Sequence, residues 1–483
     1  MYEFKNKRIL ILGLARSGIG AANLLSYMGC KIIISDHKDK EELRELLTII
    51  PSDAELHLGG HPLSLLDDLD LIVLSPGIPL TIPFLKEAQN RNIKIVSEIE
   101  IAFKAIQYLK ENLSFVDFIF LSVTGTNGKS TTTTLLYEFL KASNFNTIIA
   151  GNIGNSLSSE ILNIFISNHN YYEPDNFLIV TELSSFQLET MYEFKPYGST
   201  ILNITPDHLD RYEDMDEYIK AKCRIFQRQS MEDFLILNAD DPYTKNIIEM
   251  LPNQNRPHLF FFSRKKPVEG AFIENGVIKF NLPFEKLKTL KLMIDRQIHD
   301  LEITEKDFLI KGVHNIENIM ASTLMAILSG CKRKAIEKVL KTFKGLEHRL
   351  EFVKEIDEVQ YINDSKGTNI GAVMKSLESF STPVILIAGG RDKGSDFTTL
   401  IPYVKNRVKA VILIGEASGK IAEALDCVSE IHFADTLKNA VHKAKALSSK
   451  GDTVLLSPGC ASFDMFKDFE DRGRQFKELV NNL

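Results

Sequence analysis

The stretch SVTGTNGKSTTTTLL, Ser122 to Leu136, decides how the whole chain is read. An apolar run ends in a turn of small residues, a Gly-Lys-Ser triplet follows, and a helical pattern begins near Ser130. In the usual phosphate-binding loop a glycine stands five positions before the glycine of that triplet. Val123 holds that position here, and the nearest glycine is Gly125. A Thr-rich turn is the alternative, but it explains neither the lysine nor the placement between strand and helix. Strand, lysine and helix together point to phosphate, because backbone N–H groups and the helix dipole both aim at an anion. Lys129 would reach the terminal phosphates and the Ser130 hydroxyl would ligate magnesium, with Gly125 and Gly128 allowing a tighter turn than the usual one.

Around this loop lie 483 residues, enough for two to four domains. Hydrophobic residues make up 44% and charged residues 25%, the balance of an ordinary globular protein. A net charge of −7 gives no reason to expect a nucleic-acid partner. No apolar run approaches the roughly 20 residues that span a bilayer, so no membrane insertion is expected. The opening MYEFKNKRILILGLARSG reads as a first strand rather than a signal peptide, because glycine interrupts the apolar run after Leu12. Five scattered cysteines without a C-x-x-C pair fit a reducing cytoplasm and give no basis for structural zinc.

Short β-rich runs alternate with helical patterns, which predicts parallel α/β units. RILILG, KIIISD, DLIVLSPG and KIVSE form a first unit, and FIFLSVTG, NFLIVTELSS, STILNITPDH and DFLILNADD form a second. Between Pro257 and Lys311 the pattern changes, and GAFIENGVIKF carries an Asn275-Gly276 hairpin turn, so antiparallel strands appended to the second unit are expected. A helix from about Glu317 to Leu328 closes that unit. VQYINDS, PVILIAGG, AVILIGE and TVLLSPG build a third from near Leu346. Ligands gather at the carboxyl ends of such strands.

In the first unit LILGLARSG follows a strand and opens a helix, and Asp36 ends the next strand 23 residues after Gly13. With Ala15 at the second glycine this approximates a dinucleotide fingerprint. It points to a diphosphate on the helix N-terminus, with Asp36 accepting from a sugar or base; the alternative is a tight turn with no ligand. SPGIP, Ser75 to Pro79, supplies a second loop on the same sheet edge. In the second unit Glu182 ends FLIVTE and is either a metal ligand or a loop glutamate. His208, in NITPDHLDR, is either a ligand or a neighbour of a helix cap. Lys222 shares a helical face with Tyr218, Ile225 and Phe226. It must therefore snorkel to water or lose its charge, and carbamylation would turn it into an anionic metal ligand. In the third unit NDSKGTN, GGRDKGSDF and SPGCASFDMF stand at strand ends, where Lys393 and Ser462 suit an acidic ligand.

Together TGTNGKSTTT, GNIG, ELSSFQLE, NITPDHLDRY, AKCRIF, HNIEN, HRLE, NDSKGTN, GGRDKGSDF and SPGCASFD make the chain resemble the bacterial Mur ligases over nearly its whole length. NDSKGTN and the closing SPGCASFDMFKDFEDRG resemble the branch of that family that adds D-glutamate. The resemblance implies three domains. A Rossmann-like domain (1–108) binds the UDP sugar, a central P-loop ATPase α/β domain (109–345) carries the appended antiparallel sheet, and a C-terminal Rossmann-like α/β domain (346–483) binds the incoming amino acid. It implies an ATP-dependent ligase that joins D-glutamate to UDP-N-acetylmuramoyl-L-alanine through an acyl phosphate, as a cytoplasmic monomer. Gly125, Thr126, Asn127, Gly128, Lys129, Ser130 and Thr131 would form the phosphate loop, and Asn315, Asn318, Arg349 and Asp364 would hold the adenosine. Ser130 and Glu182 would bind one Mg2+, with His208 and carbamylated Lys222 binding a second. Leu14, Ala15, Arg16, Ser17, Asp36 and Gly77 would take the uridine diphosphate, and Asn152 the muramoyl part. Thr368, Lys393, Ser462, Phe463 and Phe469 would surround D-glutamate. The segment Asn281 to Thr304 is longer than that family leads one to expect and has no assigned role.

Three other readings compete. A diamino-acid-adding Mur ligase or a folylpolyglutamate synthase differs only in its acceptor, an NAD-dependent oxidoreductase would use the first fingerprint, and a non-catalytic module would bind nucleotide alone.

Overall fold

Strands with near-continuous apolar runs are buried on both faces, and here they form the centres of parallel sheets. The computed structural model describes residues 4–112, 117–167, 177–209, 211–290, 298, 300–310, 312–380 and 382–483. Parts of the segments singled out in the sequence fall outside them: residues 1–3 of the opening stretch, Asn176 of NFLIVTELSS, Asp210 of NITPDHLDRY, residues 291–297 and 299 of the long segment, and Lys311. Among the described residues the chain builds three sheets.

The first contains β1 (Arg8–Leu12), β2 (Lys31–Asp36), β3 (Glu55–Leu58), β4 (Leu71–Leu74) and β5 (Lys94–Ser97) in the order β3-β2-β1-β4-β5, all parallel. The second contains β6 (Phe118–Thr124), β7 (Asn146–Gly151), β8 (Phe177–Glu182), β9 (Gly198–Ile201), β10 (Phe234–Asn238), β11 (His258–Ser263), β12 (Gly270–Glu274) and β13 (Val277–Asn281). Its order is β13-β12-β11-β10-β9-β6-β8-β7. The third contains β14 (Glu351–Ile356), β15 (Val359–Asn363), β16 (Val384–Gly389), β17 (Val408–Ile414), β18 (Glu430–Phe433) and β19 (Thr453–Leu456), ordered β14-β15-β19-β16-β17-β18.

The expected antiparallel addition narrows to one hairpin. β11 joins β10 in parallel and β12 joins β11 in parallel, so the region continues the central sheet. Among the described strands of this sheet, only β12 and β13 run antiparallel, across the Asn275-Gly276 turn. Both turn residues have positive φ (52° and 78°), as a type I′ hairpin requires. The closing helix spans Val313–Leu328 and so starts earlier than the expected Glu317, which places Asn315 and Asn318 on the helix itself. The helix Glu98–Asn112 continues past 108, so a boundary there would cut it.

The loop after β6 reverts to the question of the missing glycine. Val123 is wholly buried inside the strand and pairs with Glu182 and Thr200 on the flanking strands. A glycine there would be strand interior, because the turn begins only at Gly125. Gly125 (φ 146°) and Gly128 (φ 85°) then supply the backbone that L side chains resist, and the helix Lys129–Ala142 starts directly. β8 and β9 flank β6, so Glu182 and the segment from Asn203 to His208 emerge beside that loop on the same edge.

Candidate active site

Two lysines converge on the phosphate loop. The Lys129 ammonium donates to the Gly125 carbonyl (3.0 Å) and the Thr126 carbonyl (2.9 Å), and Lys222 donates to the same Gly125 carbonyl (2.9 Å). Burial depresses both lysines below their ordinary pKa, Lys222 far below it, and their mutual repulsion pushes Lys222 down further. The Lys222 side chain does not snorkel: the residue is 2% exposed, its ammonium lies 4.5 Å from the Tyr218 ring centre, and among the described residues no carboxylate pairs with it. Burial makes this lysine give up its proton more readily than a free one, and the amine so released is nucleophilic.

Glu182 is buried beside them. One carboxylate oxygen accepts from the Asn152 side chain (2.7 Å), while Oε2 is buried without a hydrogen-bond partner. Burial alone would raise its pKa, but Lys129 and Lys366 overcome that and hold it ionised below the usual carboxylate range. An ionised carboxylate beside the loop serine, with little hydrogen bonding to satisfy it, suits a hard cation. Among the described residues no three His, Cys, Asp or Glu side chains converge on one point.

His208 sits in the left-handed region (φ 57°) with its ring 4.7 Å from the Phe186 ring. Burial drives its pKa down to about 4 against the pull of Asp207, so the imidazole is neutral and able to ligate. Asp207 itself is engaged from the third domain: Asn369 donates to it at 2.9 Å and the Lys393 ammonium lies 3.6 Å away. Burial would raise its pKa, but Lys393 first among its neighbours keeps it low.

The predicted adenosine residues gather where the second and third domains meet. Asn318 accepts from Thr132 (3.3 Å) and donates to Asn315 (3.2 Å). With Arg349 and Asp364, Asn318 lines a narrow cavity that also includes Asn127 and Gly128 of the loop. Asp364 accepts from Ser376 and Ser457, both at 2.7 Å, and burial raises its pKa. Thr131, Asn315 and Arg349 open onto an adjoining cleft of about 770 Å³.

In the first domain Leu14, Ala15, Arg16, Ser17, Asp36, Gly77 and Asn152 line one cleft of about 400 Å³ between the first two sheets. Asp36 lines this cleft and also holds its backbone. Its carboxylate accepts from the backbone amides of Leu14 (2.7 Å) and Lys38 (2.9 Å) and so shapes the loop before it could meet a ligand. Arg16 spans the cleft to the carbonyls of Gly151 (3.4 Å) and Gly154. Asn152 connects this cleft to Glu182.

In the third domain Ser462 is buried, Thr368 and Phe469 are half-buried, and Phe463 is 64% exposed, so the structure does not gather Phe463 into the site. Sequence reasoning missed two members. Lys366, of NDSKGTN, crosses to the second domain and donates to the Ser130 hydroxyl at 3.0 Å; burial lowers its pKa to about 8. Asp207, one residue before His208, organises Lys393 and Asn369. The signal for both was adjacency to chosen residues within motifs already picked out.

Family comparisons agree with this geometry. Residues 7–97 match the Mur ligase MurD-like N-terminal domain, 123–326 the Mur ligase middle domain, and 348–460 the Mur ligase glutamate ligase domain. A UDP-N-acetylmuramoylalanine–D-glutamate ligase of Clostridioides difficile is 40% identical, covering 100% of both chains. One of Geotalea daltonii is 41% identical over 100% of this chain and 98% of its own. Among solved structures, MurF of Acinetobacter baumannii superposes with a TM-score of 0.58 at 15% identity, covering 98% of this chain and 93% of that one. MurC of Thermotoga maritima gives 0.56 at 19%, covering 98% and 99%, and both share the fold. The chain belongs to the Mur ligase family.

Proposed function

We propose that the chain is an ATP-dependent ligase that joins D-glutamate to UDP-N-acetylmuramoyl-L-alanine in peptidoglycan precursor synthesis. The observation that carries this reading is Lys366 donating to Ser130, by which the amino-acid domain completes the phosphate loop of the ATPase domain. The full-length relatives bear the name of that reaction.

The cleft between the first two sheets would hold the UDP sugar on Leu14 to Ser17 and Gly77, with its muramoyl end toward Asn152. Asn315, Asn318, Arg349 and Asp364 would hold the adenosine of ATP. Lys129 exchanges its two loop carbonyls for phosphate oxygens, and in so buried a site that contact is worth far more than in water. Transfer of the terminal phosphoryl group to the substrate carboxylate gives an acyl phosphate. The D-glutamate amine, placed by Thr368, Lys393, Ser462 and Phe469, attacks its carbonyl, and the tetrahedral intermediate expels phosphate to leave the amide.

Ser130 with the unpartnered Glu182 oxygen would hold one Mg2+, and neutral His208 with Lys222 a second. The Lys222 amine is suited to carbamylation because burial and Lys129 lower its pKa: once deprotonated, its lone pair adds to carbon dioxide and one N–H proton leaves. Bound ions would supply charge neutralisation on the phosphate oxygens. The third domain, docked over the loop, excludes the water that would hydrolyse the acyl phosphate. Every named group comes from one chain, so a monomer suffices. Among the described residues no helix is long and apolar enough to cross a membrane, and we place the enzyme in the cytoplasm with its nucleotide substrates.

Phosphate release tests this directly, using ATP, UDP-N-acetylmuramoyl-L-alanine and D-glutamate, L-lysine or L-glutamate in turn. Only D-glutamate is expected to support turnover. Release with L-lysine or L-glutamate and none with D-glutamate would transfer the chain to another branch of the family.

A further inference from the structure

The helix Phe469–Asn481 buries Arg472, Gly473, Phe476 and Val480, so a guanidinium occupies its apolar stripe. Arg472 is 0% exposed. A buried cation normally needs a carboxylate, yet among the described residues none lies within ion-pair distance of it. Its partners are neutral and belong to two loops. Nε donates to the Ser365 hydroxyl (3.0 Å) and one terminal nitrogen to the Ser365 carbonyl (2.9 Å). The Cys460 carbonyl accepts from both terminal nitrogens, at 3.4 and 3.3 Å. The Ser365 hydroxyl itself donates a hydrogen bond to the Phe469 carbonyl (2.8 Å). Burial lowers the guanidinium only to about 10, so it remains a cation at neutral pH.

These bonds span the loop after β15 and the loop after β19. Two further ties run alongside: the Gly459 amide donates to the Gly367 carbonyl (2.8 Å), and Ala461 exchanges backbone bonds with Arg391 (2.9 and 3.0 Å). Each residue that Arg472 grips stands next to members of the candidate site, since Lys366 and Thr368 follow Ser365 and Ser462 follows Cys460. We infer that Arg472 is a positioning residue for the incoming amino acid, fixing the 364–369 loop against the 457–463 loop so that Lys366, Thr368 and Ser462 are presented as one constellation. This rests on the acceptor site proposed above. A lysine at 472 would keep the charge but could not span both loops, because an ammonium lacks the planar fork.

The test uses the full-length enzyme with R472K and, separately, S365A, which removes one anchor and only a hydroxyl. Thermal unfolding first identifies the folded variants, and the KM of each substrate is then measured. A displacement of these loops by even about 1 Å should raise the KM for the amino-acid acceptor about tenfold or more in R472K, and less in S365A. The KM for UDP-N-acetylmuramoyl-L-alanine should stay within about twofold, since the first domain is remote from Arg472. Equal changes in both KM values, or an unchanged acceptor KM in a folded variant, would overturn the inference. If R472K does not fold, S365A decides alone. A wild-type enzyme that ignores D-glutamate would defeat the proposed acceptor instead, and the same comparison is then read with the acceptor it does use.

Discussion

The central domain meets its two neighbours through interfaces of opposite kinds. Toward the first domain the contact is a shared core. A single buried cluster runs from Ile9 and Leu24 through Ile99 and Phe103 to Phe120, Leu157 and Phe194. Phe103 packs edge-on against both Phe120 and Phe194, with ring centres 5.7 and 5.4 Å away. At Gly20 even a methyl group would lie 2.1 Å from the Ser156 hydroxyl, so the two domains' helices touch backbone to side chain. Two carboxylates on one helix turn finish the joint: Glu98 accepts from the Ser158 amide, and Glu100 accepts from the amides of Tyr192 (3.2 Å), Glu193 (2.8 Å) and Phe194 (3.1 Å). Toward the third domain the contact is polar. Lys375 pairs with Glu317, Lys393 faces Asp207, Asn369 bridges Asp207 and Asn127, and Lys366 reaches Ser130. The third domain keeps its own apolar clusters, composed of residues from 350 onward. The first joint therefore holds two domains as one body, while the second is built from polar side chains at the candidate site.

The largest effect should come from the polar side. Lys366→Met keeps the length of the side chain and removes its charge, leaving Ser130 and the phosphates without their contact from the third domain. Turnover should fall by about 10²- to 10³-fold. The unfolding midpoint should hold to within about 0.5 kcal/mol, because no shared core is touched. A fall of less than threefold would mean that this interface assembles nothing catalytic, and the contrast would fail.

Glu100→Ala attacks the other side. It strips the acceptor from three amides, two of them beside buried Phe194, and each unsatisfied buried group costs on the order of 1–3 kcal/mol. With partial rehydration the total loss of stability should be about 3 kcal/mol in urea titration, while the KM for D-glutamate stays unchanged in the folded fraction. A loss below about 1 kcal/mol would show that the apolar cluster alone holds the joint.

The same contrast governs what could be read from the sequence. The buried central strands announced themselves as runs such as RILIL, FLIVTE and VILIAG. Of the strands not read individually, β3, β7, β14 and β18 are sheet edges and partly exposed, so ELHL and EIHF look like loop, while β11 lay inside the region expected to be antiparallel. The phosphate loop and Lys222 were legible because a lysine on an apolar stripe is a local contradiction. Arg472 lies on a stripe with Phe469, Phe476 and Val480 and offered the same contradiction, but charged neighbours on both sides masked it. Lys366 and Asp207 stand inside motifs already picked out, but their contacts form only when two domains touch.

Glu98 gives the apolar joint a pH signature of its own. Its Oε2 is buried without a partner, and burial pushes its pKa up to about 7 despite the Ser158 amide and the charge of Arg16. In the unfolded chain the same carboxyl titrates near 4.5. Between those values the folded protein retains a proton that the unfolded chain has released, so this group stabilises the fold fully below pH 4.5 and loses that contribution as pH rises through 7. Glu98→Gln keeps an oxygen for the Ser158 amide and cannot ionise. The variant should match the wild type near pH 4.5 and exceed it at pH 8 by on the order of 2 kcal/mol. Urea midpoints at the two pH values read the difference. A variant whose stability parallels the wild type across that range would mean that Glu98 reaches water in the native state, and the first joint would then be wetter than its core implies.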